Sequence, residues 1–197
     1  MIPQDRRVPE LLFLVRHGQT VWNREHRLQG QLDSPLTDEG IRQAKNLAER
    51  LTGRGITTVC SSPLGRALRT AVIIADRIGA DLVEVADLAD VHHGMMAGLT
   101  WDEVDERYPG ARSDRAENRY GWAFPGGESY AQARARARRS LSACGWASEG
   151  TPVLVTHEML GRMLRADLRG LDPSSALSLR HPHDVVFEID RGEERML

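Results

Sequence analysis

Two short runs constrain what this chain can fold into more than any other feature. Residues 11–15, "LLFLV", and residues 152–156, "PVLVT", are apolar or β-branched, with no charged interruption. A strand with one wet face alternates polar with apolar; one lacking that alternation belongs in a parallel sheet covered by helices on both sides. Each run then changes character abruptly, the first into Arg16 and His17, the second into His157. In open α/β sheets the crevice beyond the carboxyl ends of the strands is where ligands bind.

The intervening segments fit such a sheet. "TDEGIRQAKNLAERL" has Thr37 as N-cap, acidic residues in its first turn and Ile41, Ala44, Leu47, Ala48 and Leu51 at helical spacing. "ITTVCSS" reads as a second strand, followed by a helix opened by Pro63 and closed by Gly79, and "DLVEV" as a third strand. Strand, helix, strand, helix, strand is the order of βαβ units. "LADVHHGMMAGL" reads as loop, and "TWDEVDERYPG" as a short helix with a Thr100–Glu103 capping box, stopped by Pro109. Residues 110–127 have no period and read as a long functional loop. "SYAQARARARRSLSACGWASE" alternates, but its strong helix formers and Ser129 predict an N-capped helix. A helix from Glu158 and a last strand, "DVVFEID", close the pattern.

At 197 residues the chain is expected to form one domain, residues 1–197. Its 41% hydrophobic and 27% charged residues, with a formal net charge of -2, suit an ordinary globular protein. No apolar run is long enough to span a bilayer and "MIPQDRRVPE" lacks the core of a secretory signal, so no membrane partner and a cytoplasmic location are expected. Cys60 and Cys144 form no CxxC pair and no disulfide is expected. Lys45 is the only lysine, which excludes a phosphate-binding GxxxxGK[ST] loop and leaves no well-placed lysine base.

Arg66 falls in the first turn after the second strand. Three strand ends therefore bring Arg16, His17, Arg66 and His157 toward one edge. Such a cluster of guanidiniums and imidazoles calls for an anion, and arginine suits bidentate contact with phosphate oxygens. With His17 as nucleophile, a phosphoryl group would pass to an imidazole nitrogen and then to water, the arginines stabilising the spread negative charge.

These residues also carry a resemblance. "LVRHGQTVWN", "LQGQLDSPLTDEG", "SSPLGRALRTA", "GGES" and "VLVTHE", in that order, resemble the phosphoglycerate-mutase-like branch of the histidine phosphatase superfamily. The resemblance implies a three-layer α/β sandwich with a mostly parallel central sheet, helices on both faces and a phosphohistidine intermediate. It matches His17 to the nucleophile and Arg16, Arg66 and His157 to the phosphate pocket. Asn23, Thr20, Gln29 and Gly30 match the loop that binds or lines the substrate, Thr20 as a support. In this branch the proton donor is usually a glutamate in a block resembling L-x-E-x-x-x-G-x-x-x-G; "LADVHHGMMAG" places Asp90 there, one methylene shorter. Asp90 is expected to be the general acid, with His92 and His93 as rivals.

Dedicated mutases similar to this family carry an insertion with lysine and tyrosine after the second arginine block. Here "TAVIIADRIG" leads straight to "DLVEV", so hydrolysis of a small phosphorylated substrate is expected, with mutase-type transfer or a weakly active phosphohistidine relay as alternatives. Substrate identity is expected to reside in "YPGARSDRAENRYGWAFPGG", through Arg112, Arg115, Trp122 and Phe124. "HEMLG" has Gly161 where a zinc-binding HExxH needs histidine, and His92, His93, His181 and His183 lack acidic or cysteine partners at metal-binding spacing. No metal or other cofactor is expected, and loop packing is the role read for those histidines. "ARARARR" is read as a solvated helix face rather than an RNA-binding patch, hence no nucleic-acid partner. A homodimer is compatible with the composition.

Overall fold

The computed structural model describes residues 9–143 and 150–197. β1 (Leu11–Arg16) is followed by a single helical turn, α1 (Val21–Arg24), and then α2 (Asp38–Leu51), capped by the Thr37 hydroxyl, which accepts the Gly40 N–H. β2 (Ile56–Ser61), α3 (Gly65–Ile78) and β3 (Asp81–Glu84) complete the βαβ run. Next come α4 (Trp101–Arg107), with the expected Thr100–Glu103 capping box, α5 (Ala111–Glu117) and α6 (Tyr130–Ala143). β4 (Thr151–Thr156), α7 (Glu158–Leu168), α8 (Pro173–Ser178), β5 (Phe187–Asp190) and β6 (Glu193–Met196) follow.

The six strands form one sheet in the order β3-β2-β4-β1-β5-β6. β1 to β4 run parallel, β5 is antiparallel to β1, and β6 antiparallel to β5. Side chains alternate across β1. Leu12 and Leu14 pack with Ala133 and Ala137 of α6 and Leu160 and Leu164 of α7. Phe13 and Val15 pack with Leu47 and Leu51 of α2 and Ala71 and Ile74 of α3. The sheet is thus the middle of three layers, which is why β1 carries no polar face. Each fully buried Leu or Phe contributes about 1.5–3 kcal/mol. β1 and β4 are neighbours with Arg16 opposite Thr156, so the residues that follow, His17 and His157, leave the sheet side by side.

Several local expectations need correction. α3 begins at Gly65, after Pro63, because the Asp33 carboxylate from a distant loop accepts the Arg66 N–H at 3.2 Å; a Cβ on Gly65 would stand 2.2 Å from that carboxylate. Residues 110–127 are not one unstructured loop: they contain α5, whose only buried residue is Ala111, so no apolar stripe announced it. β6, "EERM", has no apolar alternation, and a two-residue turn with positive φ at Arg191 (48°) and Gly192 (85°) returns it onto β5. α6 is a helix, and only part of "ARARARR" is the solvated face expected: Arg138 and Arg139 are exposed, whereas Arg134 and Arg136 pair with Asp167 and Glu128, their side chains only 13% and 15% exposed. The rest of that predicted helix, residues 144–149 with Cys144, lies outside the described residues. No helix among the described residues is long and apolar enough to cross a membrane.

Candidate active site

His17 leaves β1 with its N–H on Thr156 O, and the residue is 2% exposed. Its ring Nδ1 lies 2.7 Å from its neighbour's carbonyl, Gly18 O, so Nδ1 carries the proton and Nε2 keeps a lone pair. Arg66 Nε donates to that Nε2 at 3.3 Å. Burial, followed by the charges of His157, Arg66, Arg16 and His183, holds the His17 pKa well below its ordinary value, so the ring is neutral and nucleophilic. Gly18 is required because the chain passes hard against α2: a Cβ there would sit 2.2 Å from Gly40 O. The Gly18 N–H donates to the Thr70 hydroxyl of α3 at 3.1 Å.

Arg66, 1% exposed, is oriented by the loop it faces. Nη1 donates to Leu32 O (2.8 Å) and Asp33 Oδ1 (3.2 Å), and Nη2 to Gly30 O (2.7 Å) and Asp90 Oδ2 (3.2 Å). Arg16 Nη1 pairs with Glu158 Oε2 at 3.1 Å, and its buried Nε has no protein partner among the described residues. Burial lowers the Arg16 pKa, and Glu158 and Asp90 offset part of that cost.

His157, fully buried, has Nε2 2.8 Å from Ser62 Oγ, while Nδ1 has no hydrogen-bond partner and stands 3.7 Å from Asp90 Oδ2. Ser62 Oγ also accepts the Leu64 N–H at 3.3 Å, and with a second lone pair and its own proton it can pair with His157 Nε2 in either ring tautomer, leaving Nδ1 on the side of Asp90. Burial, then Arg66 and Arg16, holds the His157 pKa well below its ordinary value. Its ring centroid is 5.1 Å from that of His17.

Arg16 and His17 border a cavity of about 230 Å³ that also reaches Asn23, Gln29, Asp90 and His93, while Arg66 and His157 stand behind its lining, in contact with His17 and Asp90. Asp90 is pushed up from the usual carboxylate range by burial, against the lowering effects of Arg66, the Val91 N–H and Arg16. Burial and then the Arg115 charge push His93 down to about 3, and its ring leans on Phe124 at 4.4 Å. His92 Nδ1 accepts the Gly94 N–H outside the cavity. Of the three candidate acids, Asp90 alone both reaches the cavity and has a raised pKa.

Other expected residues act at one remove. Thr20 is fully buried and caps α1, outside the cavity lining; its N–H and hydroxyl both donate to Asn23 Oδ1. Gly30 contributes its carbonyl to Arg66, at a φ of 56° that a side chain would meet with strain, and it too lies outside the lining. Of the expected specificity residues only Arg115 lines the cavity. Arg112 pairs with Asp105, Phe124 is buried, and Trp122 packs against the core. Sequence reasoning missed Arg27, Trp101, Arg119, Tyr130 and Arg162 in the lining, because folding alone brings the segments after α1 and α5 together with α4, α6 and α7. It also missed Ser62, although "SSPLGR" lay beside Arg66, and the closeness of His183, whose Nδ1 meets His17 O at 2.5 Å. Among the described residues no group of three or more His, Cys, Asp or Glu side chains is arranged to hold a metal ion.

An arrangement with a neutral imidazole nitrogen, two buried guanidiniums and a protonatable carboxyl is built for transfer of a phosphoryl group. Known proteins agree with it. The chain is 36% identical over 187 residues to a Salmonella paratyphi B protein named "Probable phosphoglycerate mutase GpmB", covering 94% of this chain and 87% of that one. The structure of a mycobacterial glucosyl-3-phosphoglycerate phosphatase complexed with VO3 is similar at a TM-score of 0.79 and 35% identity, over 90% of this chain and 91% of that one. Bacillus stearothermophilus YhfR is similar at a TM-score of 0.82 and 29% identity, over 94% of each chain. Residues 12–196 match the histidine phosphatase superfamily (branch 1), and the chain belongs to that family.

Proposed function

We propose that this protein is a phosphomonoesterase that hydrolyses a small phosphorylated metabolite through a phosphohistidine on His17, the chain acting as one domain. The observation that carries the reading is the His17 ring, with Nδ1 tied to Gly18 O and Nε2 facing Arg66. In the first step the Arg66 Nε–H passes from His17 Nε2 to a phosphoryl oxygen, the freed Nε2 lone pair attacks phosphorus and the bond to the ester oxygen breaks. The leaving alkoxide takes the proton of the Asp90 carboxyl. Gly18 O stabilises the Nδ1 proton as the ring gains positive charge, while Arg16, Arg66, His157 and Asn23 hold the phosphoryl oxygens. In the second step water attacks phosphorus, Asp90 takes its proton, the P–N bond breaks, and inorganic phosphate leaves with His17 regenerated.

Net hydrolysis is favoured over mutase-type transfer by the short passage from α3 to β3, Gly79 and Ala80 alone, where a dedicated mutase's lysine- and tyrosine-bearing insertion would stand. A screen of phosphate monoesters with His17→Ala as control tests the reading. Release of inorganic phosphate that disappears in the variant supports it. Conversion of 3-phosphoglycerate to 2-phosphoglycerate without phosphate release overturns it.

A further inference from the structure

Arg136 lies on α6, outside the cavity lining, with its guanidinium committed to the main chain of the turn that carries Asp90. Nη1 donates to Asp87 O and Ala89 O, each at 2.7 Å, and Nη2 to Asp90 O at 3.1 Å. The same Nη2 meets Glu128 Oε1 at 2.5 Å. Glu128 in turn holds the far side of the turn: Oε1 accepts the His92 N–H at 3.0 Å, and the Glu128 N–H donates to His92 O at 2.9 Å. The chain is pinned immediately before, at and after Asp90.

That pinning matters because of how the Asp90 side chain sits. Oδ1 accepts the N–H of Val91, the next residue, at 2.9 Å, so the carboxyl is folded back on its own backbone. Oδ2 alone points toward Arg66 (3.2 Å) and His157 (3.7 Å). A side chain tied in this way moves with its main chain, and a displacement of the turn reaches Oδ2 undiminished. Aspartate has no further methylene with which to absorb the error, and misplacement by 1 Å can cost on the order of a hundredfold in rate.

We infer that Arg136, braced by Glu128, is the positioning residue for Asp90, setting the point from which the carboxyl delivers its proton to the leaving alcohol. This rests on Asp90 being the proton donor, and the experiment separates the two claims. The ratio kcat/KM reports the steps through cleavage of the ester P–O bond. A 4-nitrophenolate leaves without a proton and an alkoxide does not. Values for 4-nitrophenyl phosphate and glycerol 3-phosphate are therefore compared in the wild type, Arg136→Lys, Glu128→Gln and Asp90→Asn. Lysine keeps the charge but lacks the planar fork that spans three carbonyls.

The expected result is a loss of about 10- to 100-fold for the alkyl ester in Arg136→Lys, against less than about threefold for the aryl ester. Glu128→Gln shows the same selectivity more weakly, and it carries the test should Arg136→Lys fail to fold. Equal losses on both esters, or none on either, mean that Arg136 is merely structural and overturn the inference. If Asp90→Asn itself shows no preference for the alkyl ester, the proton-donor reading fails, and this inference with it. If Asp90→Asn is selective and the Arg136 and Glu128 variants are not, only the positioning claim falls.

Discussion

Replacing Arg66 with lysine separates what charge does in this site from what the guanidinium shape does. Arg66 donates to five acceptors: His17 Nε2, Leu32 O, Asp33 Oδ1, Gly30 O and Asp90 Oδ2. An ammonium offers three protons from one atom, so at least two acceptors lose their partner. Asp33, 46% exposed, recovers water, but Asp90, 14% exposed, and the buried carbonyls do not recover it as readily. One or more unpaired buried acceptors cost about 1–3 kcal/mol, a sizeable part of the roughly 5–15 kcal/mol that holds a domain folded. The catalytic cost is larger in proportion: losing the Nε–H, which would turn from His17 Nε2 to a transferring oxygen, lowers the rate on the order of 10²–10³. Urea unfolding measures the first effect as a lower midpoint at unchanged slope, and kcat/KM with an aryl phosphate measures the second. An Arg66→Lys enzyme within about threefold of wild type would refute the argument that Arg66 works through its geometry.

Three further outcomes follow from the same contacts. Ser62→Ala removes the 2.8 Å partner of His157 Nε2, frees the ring to turn and to change tautomer, and is expected to lower kcat with little change in urea midpoint; a fall in midpoint with kcat intact would show that the bond serves the fold alone. Leu14→Ala, in the middle of β1 and fully buried, is expected to cost about 2–5 kcal/mol in chemical denaturation, and a cost under about 1 kcal/mol would contradict the close packing of the sheet against its helices. Acid is expected to weaken the fold. Burial lowers His17, His157 and His181 well below their ordinary values and brings His183 to about 4 and His93 to about 3, so the unfolded chain binds more protons than the native one. Their contribution is complete above the unfolded value of about 6.5 and is lost as pH falls toward the folded values, each group giving at most about 1.4 kcal/mol per pH unit. Asp90, raised by burial, has the opposite sign, with its contribution present below its unfolded value and lost as pH rises through the folded one. A urea midpoint flat between pH 7 and pH 5 would show that the imidazoles are not held neutral.

The pairs of residues that local sequence placed correctly share one cause. Arg16 and His17 follow a strand with no polar face, and His157 follows another, so the uninterrupted apolar runs alone fix both a buried parallel sheet and the edge where its charged residues emerge. Thr37 and Thr100 cap their helices through N–H groups three residues away, an interaction that needs nothing from the rest of the fold. α5 and β6 were illegible because neither has a continuous buried face: one hides a single alanine, and the other is an edge strand held by backbone pairing.

By itself, then, the sequence determined the buried strands, the main helices and the place of His17 at the end of β1, because hydrophobic period and capping are set within a few residues. Only the tertiary structure decided which imidazole nitrogen is free, which of three candidate acids combines a place in the cavity with a raised pKa, and what holds it there. Those depend on Gly18 O beside the His17 ring, on burial around Asp90, and on an arginine 46 residues beyond Asp90 gripping the carbonyl of that residue. Hydrogen bonds and desolvation act over a few ångströms of space, whatever the separation along the chain.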